Sequence, residues 1–264
     1  MKNKTLYSLL LALCVIGFWL FEEYYVPPTD STDPPTGQGI QADYLPSTTT
    51  GAVVFHENYT LSYSEAHEQA EWVAYVLKRR HLTQDDRKRP FYVEDPKVRT
   101  SSADWRNYRG SGYDRGHLCP AGDRRFSKAA HDETFYTSNI SPQDKDFNAG
   151  IWNRLEQQVR SWCRRHGDLI VVTGGVLEVG LEEIGVEKVD VPRNFYKIVL
   201  RGRGDDMAAL AFLIPARESQ RPLSDFLVSV DFLESLTGLD FFEKLPQTWQ
   251  QQVESRAATS LWGR

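Results

Sequence analysis

Residues 113–123 read Tyr113-Asp114-Arg115-Gly116-His117-Leu118-Cys119-Pro120-Ala121-Gly122-Asp123. Four consecutive positions supply a carboxylate, a guanidinium, a glycine and an imidazole before the chain turns apolar. Gly116 allows a tight backbone that presents the His117 ring. Downstream, Phe135-Tyr136-Thr137-Ser138-Asn139-Ile140-Ser141-Pro142-Gln143 precedes Phe147-Asn148-Ala149-Gly150-Ile151-Trp152-Asn153-Arg154-Leu155-Glu156. Ile151, Leu155, Val159 and Trp162 recur at spacings of three and four. That stripe predicts a helix from near Asn148 to about Arg165 with one buried face. Asn148 stands at its start, where asparagine is a good cap. Its amide oxygen is also a hard, neutral ligand of the kind Mg²⁺ accepts while keeping most of its waters. An imidazole of ordinary basicity accepts a proton near neutral pH, so His117 is a candidate general base.

Outward from this segment, Val53–Tyr63 reads as a strand, and Ser64 as the cap of a helix over 64–80. Phe91–Val93 and Tyr136–Ile140 are short strand candidates. Leu169–Thr173, Phe195–Leu200 and Met207–Ile214 are strong ones, punctuated by Gly174-Gly175, Arg201-Gly202-Arg203-Gly204 and Pro215. Beyond Pro222 the pattern suits helices and loops closing the domain. Strands with irregularly spaced helices predict an α+β domain around a mostly antiparallel central sheet.

The three ordered segments resemble the DNA/RNA non-specific endonuclease family, the ββα-metal nucleases that include secreted bacterial nucleases and endonuclease G. The matching elements are the Asp-Arg-Gly-His tetrad, Ser-Asn-x-x-Pro-Gln and Asn-x-Gly-x-Trp-x-x-Leu-Glu. The likeness extends more loosely over residues 52–245. It implies a ββα-metal fold, a divalent ion (Mg²⁺, with Mn²⁺ able to substitute), and DNA and RNA as partners. It also implies His117 as general base, Asn148 as the sole direct metal ligand, and Glu156 as a hydrogen-bond partner of metal-bound water. Eight residues of helix put Glu156 about 12 Å along the axis from Asn148, which favours such an outer role; an ion pair with Arg160 is the alternative. Asn139 is implied near the site, supporting His117 or the metal waters, with satisfaction of buried backbone groups as its other reading. Arg115 and an upstream arginine, Arg89 or Arg87, are expected to meet phosphate or transition-state charge. Arg160 is expected among the phosphate-facing arginines. Asp114 is read as ordering the loop.

Charge fits this implication once the chain is divided. The net charge is −5, but residues 78–165 hold 19 basic against 12 acidic residues. Arginine dominates that stretch, and its planar fork grips phosphate through two hydrogen bonds. A catalytically silent nucleic-acid-binding or surface module on the same fold is the competing reading. A zinc hydrolase is disfavoured, because the six histidines include no His-x-His or His-x-x-x-His pair.

At the start, Lys2 and Lys4 precede an apolar run from Leu6 to Phe21. No small-x-small site follows, so residues 1–25 read as a signal anchor in preference to a cleaved signal peptide, placing the rest across a membrane. Export, periplasmic or exterior, is the corresponding expectation. Residues 26–50, rich in Pro, Thr, Asp and Gly, read as a tether, with the enzyme domain over 51–264. Cys119 and Cys163 neither require nor exclude a disulfide.

Overall fold

The computed structural model describes residues 40–202, 204–255 and 262. The signal-anchor segment and most of the tether lie outside them. In chain order the first strands are β1 (Val53–Phe55), β2 (Thr60–Ser64), β3 (Gln69–Leu77), β4 (Asp114–His117) and β5 (Ile140–Gln143). They are followed by β6 (Leu169–Gly175), β7 (Glu182–Ile184), β8 (Val189–Val191), β9 (Asn194–Arg201), β10 (Ala208–Pro215) and β11 (Leu227–Val228). The helices are α1 (Lys128–Glu133), α2 (Lys145–Phe147), α3 (Asn153–His166), α4 (Val230–Thr237) and α5 (Gln247–Glu254).

Seven strands form one sheet in the order β1-β2-β3-β6-β9-β10-β11, with every neighbour antiparallel. Alternation along the strands sends side chains to two cores. Val73, Tyr75 and Leu77 of β3, with Phe195 and Val199 of β9, join the core that takes the α3 stripe. Trp72 and Ala74, with Tyr196, Ile198 and Leu200, join a second core holding Val230, Leu233, Phe241 and Val253. The sheet is therefore covered on both faces. Its edges are short: three residues in β1 and two in β11.

The helix expected over 64–80 is a β-hairpin. Glu68 takes a left-handed turn conformation (φ 52°) between β2 and β3. A strand buried on both faces loses its polar alternation, so a run such as Trp-Val-Ala-Tyr-Val-Leu cannot be told from a buried helix by periodicity. Val53–Tyr63 is likewise two strands, turned where the His56 N–H donates to the Tyr59 carbonyl (2.9 Å). Phe91–Val93 contributes a single bridge, from Val93 to Tyr136. Only the end of the 136–140 candidate becomes strand; Thr137–Asn139 is a 3-10 turn.

Residues 40–50 depart from the tether expectation. Trp72 Nε1 donates to the Ser47 carbonyl (2.8 Å), and the buried Glu71 carboxylate accepts from the Thr48 and Thr49 hydroxyls (2.8 and 2.5 Å). Leu45 is buried in the second core. A threonine-rich segment reads as linker by composition, but here its hydroxyls satisfy a buried acid. Cys119 and Cys163 are both buried free thiols.

Candidate active site

Strands β4 and β5 form a two-stranded antiparallel ribbon, pairing Asp114 with Gln143, Gly116 with Ser141 and His117 with Ile140. The chain leaves β5 through α2 and enters the long helix by a π-type segment, Asn148–Trp152, that continues into α3. The π segment kinks at Gly150 (φ −95°, ψ −107°). There the Glu218 carboxylate accepts from the Ile151 N–H (2.8 Å), and a Cβ on residue 150 would stand 1.8 Å from Glu218 Oε2. A side chain at 150 would displace the Glu218 carboxylate that caps the helix entry. Nothing in the sequence near Glu218 signalled this.

Asn148 Nδ2 donates to Asp114 Oδ2 (3.1 Å). A carboxylate only accepts, so this bond fixes the amide's orientation and leaves Oδ1 outside it. Asp114 thereby holds the Asn148 side chain. Three residues further along the same strand stands His117, about 10 Å away at ordinary strand rise.

The His117 ring packs edge-on to Phe135 (centroids 4.9 Å apart) and lies 5.8 Å from the Tyr92 ring. Its Nε2 is buried without a hydrogen-bond partner. Burial, together with the charges of Arg89 and His131, pushes its pKa down to about 3. The imidazole is therefore neutral at physiological pH.

Arg89 is the upstream arginine that the fold brings here. It is exposed, and its guanidinium donates to the Tyr92 hydroxyl and lies 5.8 Å from the Phe135 ring centroid. Arg87 is turned away, donating to the Arg125 carbonyl and to Asp85. Arg115 sits among Tyr92, Trp105 and Tyr108, 5.3–5.8 Å from their ring centroids. Aromatic faces hold a guanidinium without neutralising it, so its charge remains available.

Asn139 is fully buried and points at backbone. Its Oδ1 accepts from the Cys119 N–H (2.8 Å), and Nδ2 donates to the carbonyls of Cys119 (3.0 Å) and Thr134 (2.9 Å). It braces the chain two residues after His117.

The Arg160 guanidinium donates to Asp123 Oδ1 (2.7 Å) and pairs with Glu156 (3.7 Å). Two carboxylates engage it, and its side chain is largely buried. Glu156 belongs to the same group: burial pushes its pKa up to about 7, against the pull of Lys197 and Arg160. Lys197, also buried, lies 4.6 Å from the Trp152 ring centroid. Sequence reading missed Lys197 and Asp123, which lie outside the helix whose periodicity was legible.

A second charged cluster holds α1, which leads into the Asn139 turn. His56 is buried between Asp95 (Nε2 to Oδ2, 2.8 Å) and Glu133 (Nδ1 to Oε1, 3.4 Å). Burial alone would lower its pKa, but the two carboxylates outweigh it and hold the value above 6.5. The resulting stabilisation is complete below about pH 6.5 and is lost as pH rises through the folded-state pKa. Burial pushes Asp95 and Glu133 up, yet hydrogen bonds, His56 foremost, hold them below their ordinary values. Their share persists at neutral pH and disappears only in acid. The melting-temperature gap between wild type and His56→Gln should therefore narrow from about pH 6 to pH 9, by about 2–4 °C per kcal/mol lost. A constant gap across that range would reject the linkage.

A short antiparallel ribbon ending on histidine, followed by a helix opened by asparagine, is the ββα-metal nuclease fold. The chain belongs to the DNA/RNA non-specific endonuclease family, whose model matches residues 37–248. It is 39% identical over 211 residues to human mitochondrial nuclease EXOG, covering 73% of this chain and 57% of that protein. The chain thus spans less than two thirds of the EXOG length. Nuclease C1 of Cunninghamella echinulata is 36% identical, covering 72% of this chain and 82% of its own. Human mitochondrial endonuclease G is 36% identical, covering 70% and 67% respectively. A crystal structure of an EndoG/EndoGI complex superposes with a TM-score of 0.68 at 31% identity, covering 74% of this chain and 87% of that one.

Proposed function

We propose that this chain is a divalent-metal-dependent endonuclease that hydrolyses phosphodiester bonds of DNA and RNA with little sequence preference. The observation carrying this reading is the ribbon itself. One end presents a neutral His117 beside an exposed Arg89; the other end fixes the Asn148 amide through Asp114.

In this reading Asn148 Oδ1 holds Mg²⁺, with Mn²⁺ able to substitute, and the donor set suits a hard, largely hydrated ion. When bound, that ion supplies positive charge against the phosphorane-like transition state. His117 takes a proton from the attacking water. Its basicity in the free protein is low for this task, and Arg89 is one cause. A phosphate docked on Arg89 offsets that cation and raises the basicity of the ring when substrate is in place. Arg89 and Arg115 hold the phosphate, while Asn139 positions His117 through the backbone. Glu156 accepts hydrogen bonds from the ion's hydration shell, and Arg160 keeps that carboxylate oriented. Recognition rests on backbone charge, met by the arginine-rich stretch over 78–165.

The test is digestion of plasmid DNA and of an unstructured RNA, with and without EDTA, across a salt series. Both substrates should be cut at many sites, and EDTA should abolish cutting. Even three phosphate contacts would weaken binding by about 40-fold between 50 and 200 mM salt. Activity that survives EDTA would reject the metal. One reproducible plasmid cut would reject non-specificity, and binding without cleavage would favour the silent module.

A further inference from the structure

Asn148 opens a π-type segment, a turn that is rare and recurs at functional sites. Its kink at Gly150 interrupts the helical ladder, and a backbone amide set free there needs a partner from elsewhere in the chain. For Ile151 that partner is the Glu218 carboxylate (2.8 Å), carried by the loop that follows β10. The same loop is fastened to the helix and to itself by three further contacts. Gln220 Nε2 donates to Glu218 Oε1 (2.7 Å). Arg154, in the first turn of α3, donates to the carbonyls of Ser219 (3.1 Å) and Arg221 (2.6 Å). Gly150 leaves the room that the carboxylate occupies. The π segment is therefore gripped from two sides. Asp114 of β4 holds the Asn148 side chain, and Glu218 holds the backbone three residues later.

We propose that Glu218 is a positioning residue for Asn148: by holding the Ile151 N–H it sets the π segment at the angle from which the Asn148 amide meets Asp114 and turns its free oxygen to the divalent ion. This rests on the reading of Asn148 as the metal ligand. A site works only when its supports hold each group within about 0.5 Å of the productive geometry. A hydrogen bond to a carboxylate is about twice as strong as one between neutral groups, which suits it to holding a kink open. A regular α-helical turn in place of the π segment would carry Asn148 to a different angle about the helix axis, away from Asp114. Glu218 acts through the backbone and takes no part in the chemistry.

The test titrates Mn²⁺ by electron paramagnetic resonance into the full-length protein and records melting temperatures in EDTA. The variants are Asn148→Ala, Glu218→Ala, Glu218→Gln, Gly150→Ala and the Gly150→Ala/Glu218→Ala double. Ser229→Ala is the control, because the Ser229 hydroxyl accepts from the Phe232 N–H (3.1 Å) and so caps α4 in the second core. Glu218→Ala and Gly150→Ala are each expected to weaken Mn²⁺ binding by about 10–100-fold. The double variant should bind no worse than the weaker single, since both changes break one contact. Glu218→Gln keeps an acceptor oxygen and should stay close to wild type. Ser229→Ala should melt lower with Mn²⁺ affinity unchanged. Gly150→Ala leaves the Glu218 side chain intact, which keeps the test decisive if Glu218→Ala does not fold. Wild-type Mn²⁺ affinity in folded Glu218→Ala or Gly150→Ala would overturn the proposal. So would losses that multiply in the double variant, or an equal loss in Ser229→Ala. If wild type and Asn148→Ala bind Mn²⁺ equally, the metal reading itself fails. If Asn148→Ala binds weakly while the Glu218 and Gly150 variants match wild type, this inference alone fails.

Discussion

His117→Ala is expected to cut the turnover of plasmid DNA by about 10²–10⁴-fold, the usual worth of a general base, while Mn²⁺ affinity stays at the wild-type level. The separation follows from geometry. His117 and Asp114 stand at opposite ends of β4, and Asn148 is oriented from the Asp114 end. Removing the ring leaves a gap between Phe135 and Tyr92, which flank it. Added imidazole can enter that gap and should restore part of the rate. The measurement is single-turnover cleavage with and without imidazole, paired with Mn²⁺ binding on the same protein. A variant that loses metal affinity, or that imidazole leaves unchanged while fully folded, would argue that the ring is not acting as the base.

Asn148→Ala should fail in a different way. It removes the amide oxygen proposed to hold the ion and strips Asp114 Oδ2 of its donor. Losing one fixed electrostatic stabiliser of the transition state costs about 10²–10³-fold in rate. Part of that loss should be recovered at high Mg²⁺ or Mn²⁺, because affinity is what has been damaged. Imidazole should recover none of it. Rate against metal concentration for both variants separates the two roles. Should Asn148→Ala keep wild-type metal affinity while His117→Ala loses it, the assignments are reversed.

Local chemistry was more legible in this sequence than long-range pairing. The α3 stripe was readable because one face of that helix is buried and the other wet; Leu155, Val159 and Trp162 keep a helical period. Strands β6, β9 and β10 were readable as dense apolar runs. The same density misled at β3, where burial on both faces leaves no alternation and Ser64 mimics a cap. The site was legible where it is contiguous: Asp114, Arg115, Gly116 and His117 occupy four successive positions. Its supports were not. Glu218 reaches Ile151 from 67 residues away, and Tyr92 joins His117 from another segment. Only the folded chain separates Arg89, placed beside His117, from Arg87, bonded to Arg125 and Asp85. Asn139 bonds the backbone of Cys119 and Arg160 bonds Asp123, partners from segments remote in sequence that were not legible.

The main sheet ends on one side in a three-residue strand and on the other in a two-residue strand. Its long members, β3, β6, β9 and β10, all lie inside. Unpaired backbone amides at a sheet border are the template on which foreign strands add and fibrils grow. At the β1 border a neighbouring molecule would meet only three residues before the pairing runs out. At the other border β11 covers only Ala211 and Phe212 of the eight residues of β10, so most of that long strand has no strand on its outer side among the described residues.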